Sequence, residues 1–179
     1  MNTTIRITQV DWAATSWLAA GGYAQIYQLD SQPAVVAKVG LVTLAERDRQ
    51  ERLANQGLAL PVIDYGARVM CPKGLGYNPT HEDVCAAHGT PFRDDAGRWC
   101  GCQSAYDILL MPLATPVVDP QTYRNQLAPP FAWEDVAAFE RRVQDMLGGT
   151  WDAGDWNIAV YEGRLVALDL APHTKKEMR

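Results

Sequence analysis

Apolar residues recur at two different spacings along this chain, and the switching between them restricts it to a mixed α+β fold. Two-residue spacing marks Ile5-Arg6-Ile7-Thr8-Gln9-Val10, which reads as a half-buried strand. Leu18 to Leu29 is strand-rich and is broken early by Gly21-Gly22. Ser31-Gln32-Pro33 supplies a tight turn into a returning strand over Ala34-Val35-Val36-Ala37-Lys38-Val39. These pieces predict an antiparallel hairpin with glycines near its entrance. Leu60 to Tyr65 and Ile108 to Leu113 are further apolar runs of strand length.

Helical spacing comes twice. Thr43-Leu44-Ala45-Glu46 reads as a capping box, opening a helix that runs to about Gln56 with Gly57 as its stop. Val136, Phe139, Val143, Met146 and Leu147 predict a second helix from Trp133 to Leu147, ended by Gly148-Gly149. Pro116 to Pro130 reads as a connection with at most one helical turn. Asn157 to Tyr161 and Arg164 to Leu168 then form a hairpin about Glu162-Gly163.

The apolar share of 47% supplies a core for a chain of 179 residues, which points to one folded domain and excludes general disorder. A net charge of −5 is poorly matched to sequence-independent nucleic-acid binding, so no nucleic-acid partner is expected. No run of 18 apolar residues occurs, and Met1-Asn2-Thr3-Thr4-Ile5-Arg6 lacks the pattern of a signal peptide. A cytoplasmic protein without a membrane partner is expected.

In that compartment cysteines are thiols or metal ligands more often than disulfides. Cys71, Cys85, Cys100 and Cys102 fall in one stretch with His81 and His88. Four thiolates suit a structural, tetrahedral Zn²⁺, and either histidine could replace one of them. Free thiols and disulfides remain alternatives, because the spacing matches no standard double Cys-x-x-Cys knuckle.

The order of the elements carries the functional signal. A glycine-containing hairpin leads to Val36-Ala37-Lys38, then a helix, two strands and a second helix. Trp151-Asp152-Ala153-Gly154-Asp155-Trp156-Asn157 follows, and then a hairpin running into Leu168-Asp169-Leu170-Ala171. Asp152 and Asn157 stand five positions apart, with Asp169 beyond the hairpin. From about Leu18 to Ala171 this resembles the protein-kinase-like superfamily, including its aminoglycoside-phosphotransferase relatives.

The resemblance implies one minimal kinase-like domain over 1–179. Its antiparallel-sheet N-lobe spans 1–114 with 71–102 as a cysteine-rich insertion, and a much reduced C-lobe spans 115–179. Ten residues follow Asp169, so the chain reads as a C-terminally truncated member without the usual activation segment and peptide-binding helices. The implied activity is an ATP- and Mg²⁺-dependent transfer of phosphate to serine or threonine hydroxyls of a protein substrate.

The residue roles are likewise those of the family. Asp152 orients the acceptor hydroxyl and takes its proton, while Asn157 and Asp169 hold Mg²⁺ on the phosphates. Lys38 contacts the α- and β-phosphates, and Gly21 and Gly22 belong to a degraded glycine-rich loop. Ile26, Ala37, Met111, Leu113 and Ala159 line the adenine slot. Glu46 is the acidic partner of Lys38, with Asp48 and Glu51 as rivals. Thr150 and Trp151 replace the usual His and Arg or Gly before the Asp. That departure, the altered glycine loop and the missing helices keep a second reading in view: a pseudokinase or nucleotide-binding adaptor.

Overall fold

The computed structural model describes residues 5–20, 24–40, 42–70, 84–85, 90–91, 105–118, 127, 130–149, 151 and 157–170. They form an α+β architecture of antiparallel strand pairings and two helices. Their contacts separate two compact units, one drawn from Met1–Val42 and Asp64–Leu110, the other from Thr43–Ile63 and Met111–Arg179. Among the described residues no helix is long and apolar enough to cross a membrane.

The first unit is built on a five-stranded sheet in the order β1-β2-β3-β7-β4. Its strands are β1 (Thr15–Ala20), β2 (Ala24–Leu29), β3 (Gln32–Gly40), β4 (Asp64–Met70) and β7 (Ala105–Pro112), whose last two residues continue into the second unit. β1 pairs with β2, β2 with β3 and β4 with β7, all antiparallel. Two short strands, β5 (Val84–Cys85) and β6 (Thr90–Pro91), pair with each other within the cysteine-rich stretch. Leu29, Val36, Val39, Ile108, Leu109 and Leu110 are buried, as β-branched and leucine-rich strands in a covered sheet should be.

The strand expected over Ile5–Val10 is instead a 3₁₀ turn at Ile7–Gln9. The cause is a carboxylate far along the chain. Asp64 accepts the Ile7 amide at 2.8 Å and the Arg6 guanidinium at 3.2 Å, while the Gln9 side chain accepts the Arg6 amide. Backbone donors that could have joined a sheet are thereby taken. Ile5 and Ile7 are still buried, so the alternating pattern reported burial without reporting conformation. The run from Leu60 also differs, because β4 begins only at Asp64. Pro61 has no amide to give, and the Leu60 carbonyl is occupied by the Gln50 side chain at 3.1 Å.

The second unit holds α1 (Leu44–Ala54), β8 (Thr115–Pro116), α2 (Trp133–Leu147), β9 (Ile158–Tyr161) and β10 (Arg164–Ala167). The Thr43 hydroxyl accepts the Glu46 amide at 3.1 Å and caps α1. At the other end Gly57 donates to Ala54 and Leu58 to Leu53, both at 2.9 Å, with Gly57 at φ +72°. This is a Schellman closure around the expected glycine stop. α2 spans the expected residues and ends on Gly148 in the left-handed region.

β10, β9 and β8 form a three-stranded antiparallel sheet. The β9–β10 turn places both Glu162 and Gly163 at positive φ, the geometry that suits a two-residue hairpin. Leu53, Val136, Phe139, Val143, Trp151, Ile158, Leu165 and Leu170 are central to one apolar cluster, which packs both helices against the hairpin. The segment leaving α1 is joined to β10 as well: Ala59 bridges Ala167 in parallel, and the Ala167 amide donates to Leu58 at 2.8 Å.

Candidate functional site

The β9–β10 hairpin sets the geometry of the candidate cation-binding end. Its last strand pair is Ala167 with Ile158. Beyond that pair the Leu168 amide donates to the Asn157 carbonyl at 2.9 Å. Asn157 and Asp169 therefore emerge from the same end of one hairpin, although Asn157 and Leu168 are eleven positions apart in the chain. Both residues are half-buried and both take part in polar interactions. An amide oxygen and a carboxylate are hard donors of the kind Mg²⁺ takes alongside phosphate oxygens, so this pair fits that ion. No group of three or more His, Cys, Asp or Glu side chains suited to a metal occurs among the described residues.

Trp151 is bonded to the same hairpin end. Its side chain is 4% exposed, and its ring meets Phe139 of α2 edge-on at 6.3 Å. The indole N–H donates to the Asp169 carbonyl at 2.7 Å. The segment that begins after Trp151 and closes at Asn157 thus has both flanking residues bonded to the consecutive pair Leu168-Asp169. Asp152 lies inside that segment, outside the described residues.

On the first unit, Lys38 sits in β3 directly opposite Ile26 in β2. Opposed residues of an antiparallel pair share a face, so these two expected site residues are brought together. Ala37 is not, because it pairs with Tyr27 and alternation sends it to the other face. Val36 shares the Lys38 face in its place. Lys38 is half-buried and partnered. Gly21 and Gly22 lie outside the described residues.

The three acids of α1 separate cleanly. Asp48 is exposed and Glu51 half-buried, and both bind Arg47, at 3.1 and 3.0 Å. Glu46 is 1% exposed and is partnered. Gln50 is buried one turn further on, where its amide nitrogen donates to Leu60 and lies 3.7 Å from the Met111 sulfur. Glu46, Gln50 and Leu53 follow at intervals of four and three, so two polar residues sit on the buried face of this helix. Burying a carboxylate there costs several kcal/mol unless a cation or donors meet it, which marks Glu46 as more than a capping residue.

Met111 is buried near the end of β7, Leu113 beyond the strand is exposed, and Ala159 is fully buried in β9. Ala159 pairs with Val166 on one side and Pro116 on the other, on the face opposite Ile158 and the apolar cluster. Cys85 lies in β5, while Cys71, Cys100 and Cys102 are outside the described residues, as are His81 and His88.

Sequence reasoning missed two contributors. Trp151 stood out only as a departure from the family pattern, yet an aromatic N–H donor beside the motif Asp was itself a signal. Gln50 was legible as an amide in register with Glu46 and Leu53. No family model, no curated protein and no solved structure matches this chain.

Proposed function

We propose that this chain is a minimal protein-kinase-like phosphotransferase, using ATP and Mg²⁺ to phosphorylate serine or threonine hydroxyls of a protein. One observation carries the reading. Trp151 and Asn157, which flank Asp152 in sequence, are bonded to Asp169 and Leu168, and the two expected cation ligands, Asn157 and Asp169, share one hairpin end. The element order supports it: hairpin, lysine strand, helix, strands β4 to β8, second helix, hairpin. Glu46 is buried whereas Asp48 and Glu51 bind Arg47, which supports Glu46 as the acid that the resemblance assigns.

The chemistry follows from those positions. Phosphoryl transfer needs positioning and charge neutralisation more than covalent help. Asp152 orients the acceptor hydroxyl and accepts its proton as the new O–P bond forms and the γ-phosphate leaves ADP. Asn157 and Asp169 would hold Mg²⁺, which supplies positive charge to the phosphates. Lys38 adds a fixed positive charge on the α- and β-phosphates, and Ile26 beside it offers an apolar surface to the nucleotide.

Incubation with labelled ATP, Mg²⁺ and candidate proteins tests the reading. Label should pass to serine or threonine, and Asp152→Ala should abolish transfer. Full activity in that variant would remove Asp152 from the mechanism. Nucleotide binding without transfer to any acceptor would favour an adaptor role instead.

A further inference from the structure

We infer that Trp151 is a positioning residue whose indole N–H sets the orientation of Asp169 and so tunes cation binding. The inference rests on the phosphotransferase reading and adds a residue to it. Asp169 is held on both sides. The Leu168 amide before it is bonded to Asn157, and its own carbonyl is bonded to Trp151 at 2.7 Å. Leu170, the next residue, is 1% exposed in the apolar cluster. Holding the Asp169 carbonyl fixes the direction in which its carboxylate leaves the backbone, so less ordering is needed when it takes a cation.

The indole can impose this because it is itself immobile. It lies in the cluster formed by α2 and the hairpin, edge-on to Phe139. The bond thus transmits the position of α2 to the Asp169 backbone. Trp151 also adjoins Asp152, the expected base, in sequence. A phenylalanine would fill much of the ring volume and lack the donor.

By linkage, if the bond raises cation affinity, the bound cation must strengthen the bond by the same factor. Two measurements use this. In the first, Mn²⁺ replaces Mg²⁺ and its binding with ADP is followed by electron paramagnetic resonance. Trp151→Phe should weaken Mn²⁺ binding about tenfold, the scale of one hydrogen bond. Phe139→Leu, which loosens the ring packing but keeps the N–H, should lower thermal stability and leave Mn²⁺ affinity within about twofold of wild type.

The second measurement needs no variant and stands even if Trp151→Phe fails to fold. Hydrogen exchange of the Trp151 indole should slow about tenfold when Mg²⁺ and ADP are added to wild-type protein. The exposed indoles of Trp17 and Trp133 should not change. Unchanged Trp151 exchange in the Mg²⁺–ADP complex, or wild-type Mn²⁺ affinity in Trp151→Phe, overturns the positioning role alone. Equal loss of affinity in Phe139→Leu and Trp151→Phe overturns it too, in favour of packing. Failure of wild-type protein to bind Mn²⁺ with ADP overturns the phosphotransferase reading, and the positioning role falls with it.

Discussion

The Leu168 amide donates to the Asn157 carbonyl at 2.9 Å, one residue short of Asp169 and one step beyond the last paired residues of the β9–β10 hairpin. If Asn157 and Asp169 hold the cation as proposed, removing either side chain should damage the chemistry while leaving the main-chain bond intact. Asn157→Ala and Asp169→Ala are each expected to lower phosphate transfer about 10²- to 10³-fold. Steady-state transfer rates across a Mg²⁺ titration, with circular dichroism to confirm folding, check this.

Leu53 is completely buried where α1 meets the apolar cluster of the second unit. Leu53→Ala should destabilise the protein by about 2–5 kcal/mol. Thr43→Ala removes only the cap on the same helix and should cost about 1 kcal/mol. Urea unfolding of both variants would rank them.

Glu162 occupies the left-handed region at φ 49°, beside Gly163 at φ 74°. A branched-free but bulky side chain is poorly suited there, whereas asparagine tolerates that conformation. Glu162→Asn should stabilise the hairpin by about 0.5–1 kcal/mol. Its exposed ion pair with Arg164, at 3.7 Å, offers little to lose. A rise in melting temperature is the expected readout.

Burial, followed by the charge and hydrogen bond of Glu162, holds the Tyr161 phenol above its ordinary 10.0, with Arg164 pulling the other way. The folded protein keeps a proton that the unfolded chain releases, so this contribution is complete below pH 10.0. It is lost as pH rises through the folded value. Tyr161→Phe should therefore flatten part of the alkaline fall in stability, measured by urea unfolding from neutral pH upward.

Zinc bound by Cys71, Cys85, Cys100 and Cys102 would be structural, since four protein ligands leave no position for substrate. Elemental analysis of protein purified without chelator should then find about one zinc per chain. Cys100→Ser should lower thermal stability without altering the divalent-ion requirement of phosphate transfer. Metal-free protein whose stability is indifferent to chelator would reject the site.

The elements most legible in the sequence were those whose ends are written locally. Thr43 and Gly57 bound α1, Gly148 ends α2, and Glu162-Gly163 turns the final hairpin. Ile5–Val10 was not legible as a turn, because its donors are captured by Asp64 from a distant part of the chain. The site divides in the same way. Spacing alone put Asn157 and Asp169 at one hairpin end. The burial of Glu46, which sets it apart from Asp48 and Glu51, is not advertised by a mostly polar helix. The separation of Ala37 from Lys38 and Ile26 required the strand register.

The bridge between Ala59 and Ala167 gives the two units different schedules during synthesis. Strands β1 to β4 and β7 are all available once the ribosome has passed Pro112, so most of the first unit's sheet can assemble early. α1 emerges sooner than β7 but belongs to the other unit. Its packing partners are on α2 and the last hairpin, and its exit segment cannot pair until Ala167 has been made. For that interval the buried face of α1 has no finished core to enter. The helix made among the first elements is among the last to be locked in place, and a nascent-chain chaperone would meet it exposed.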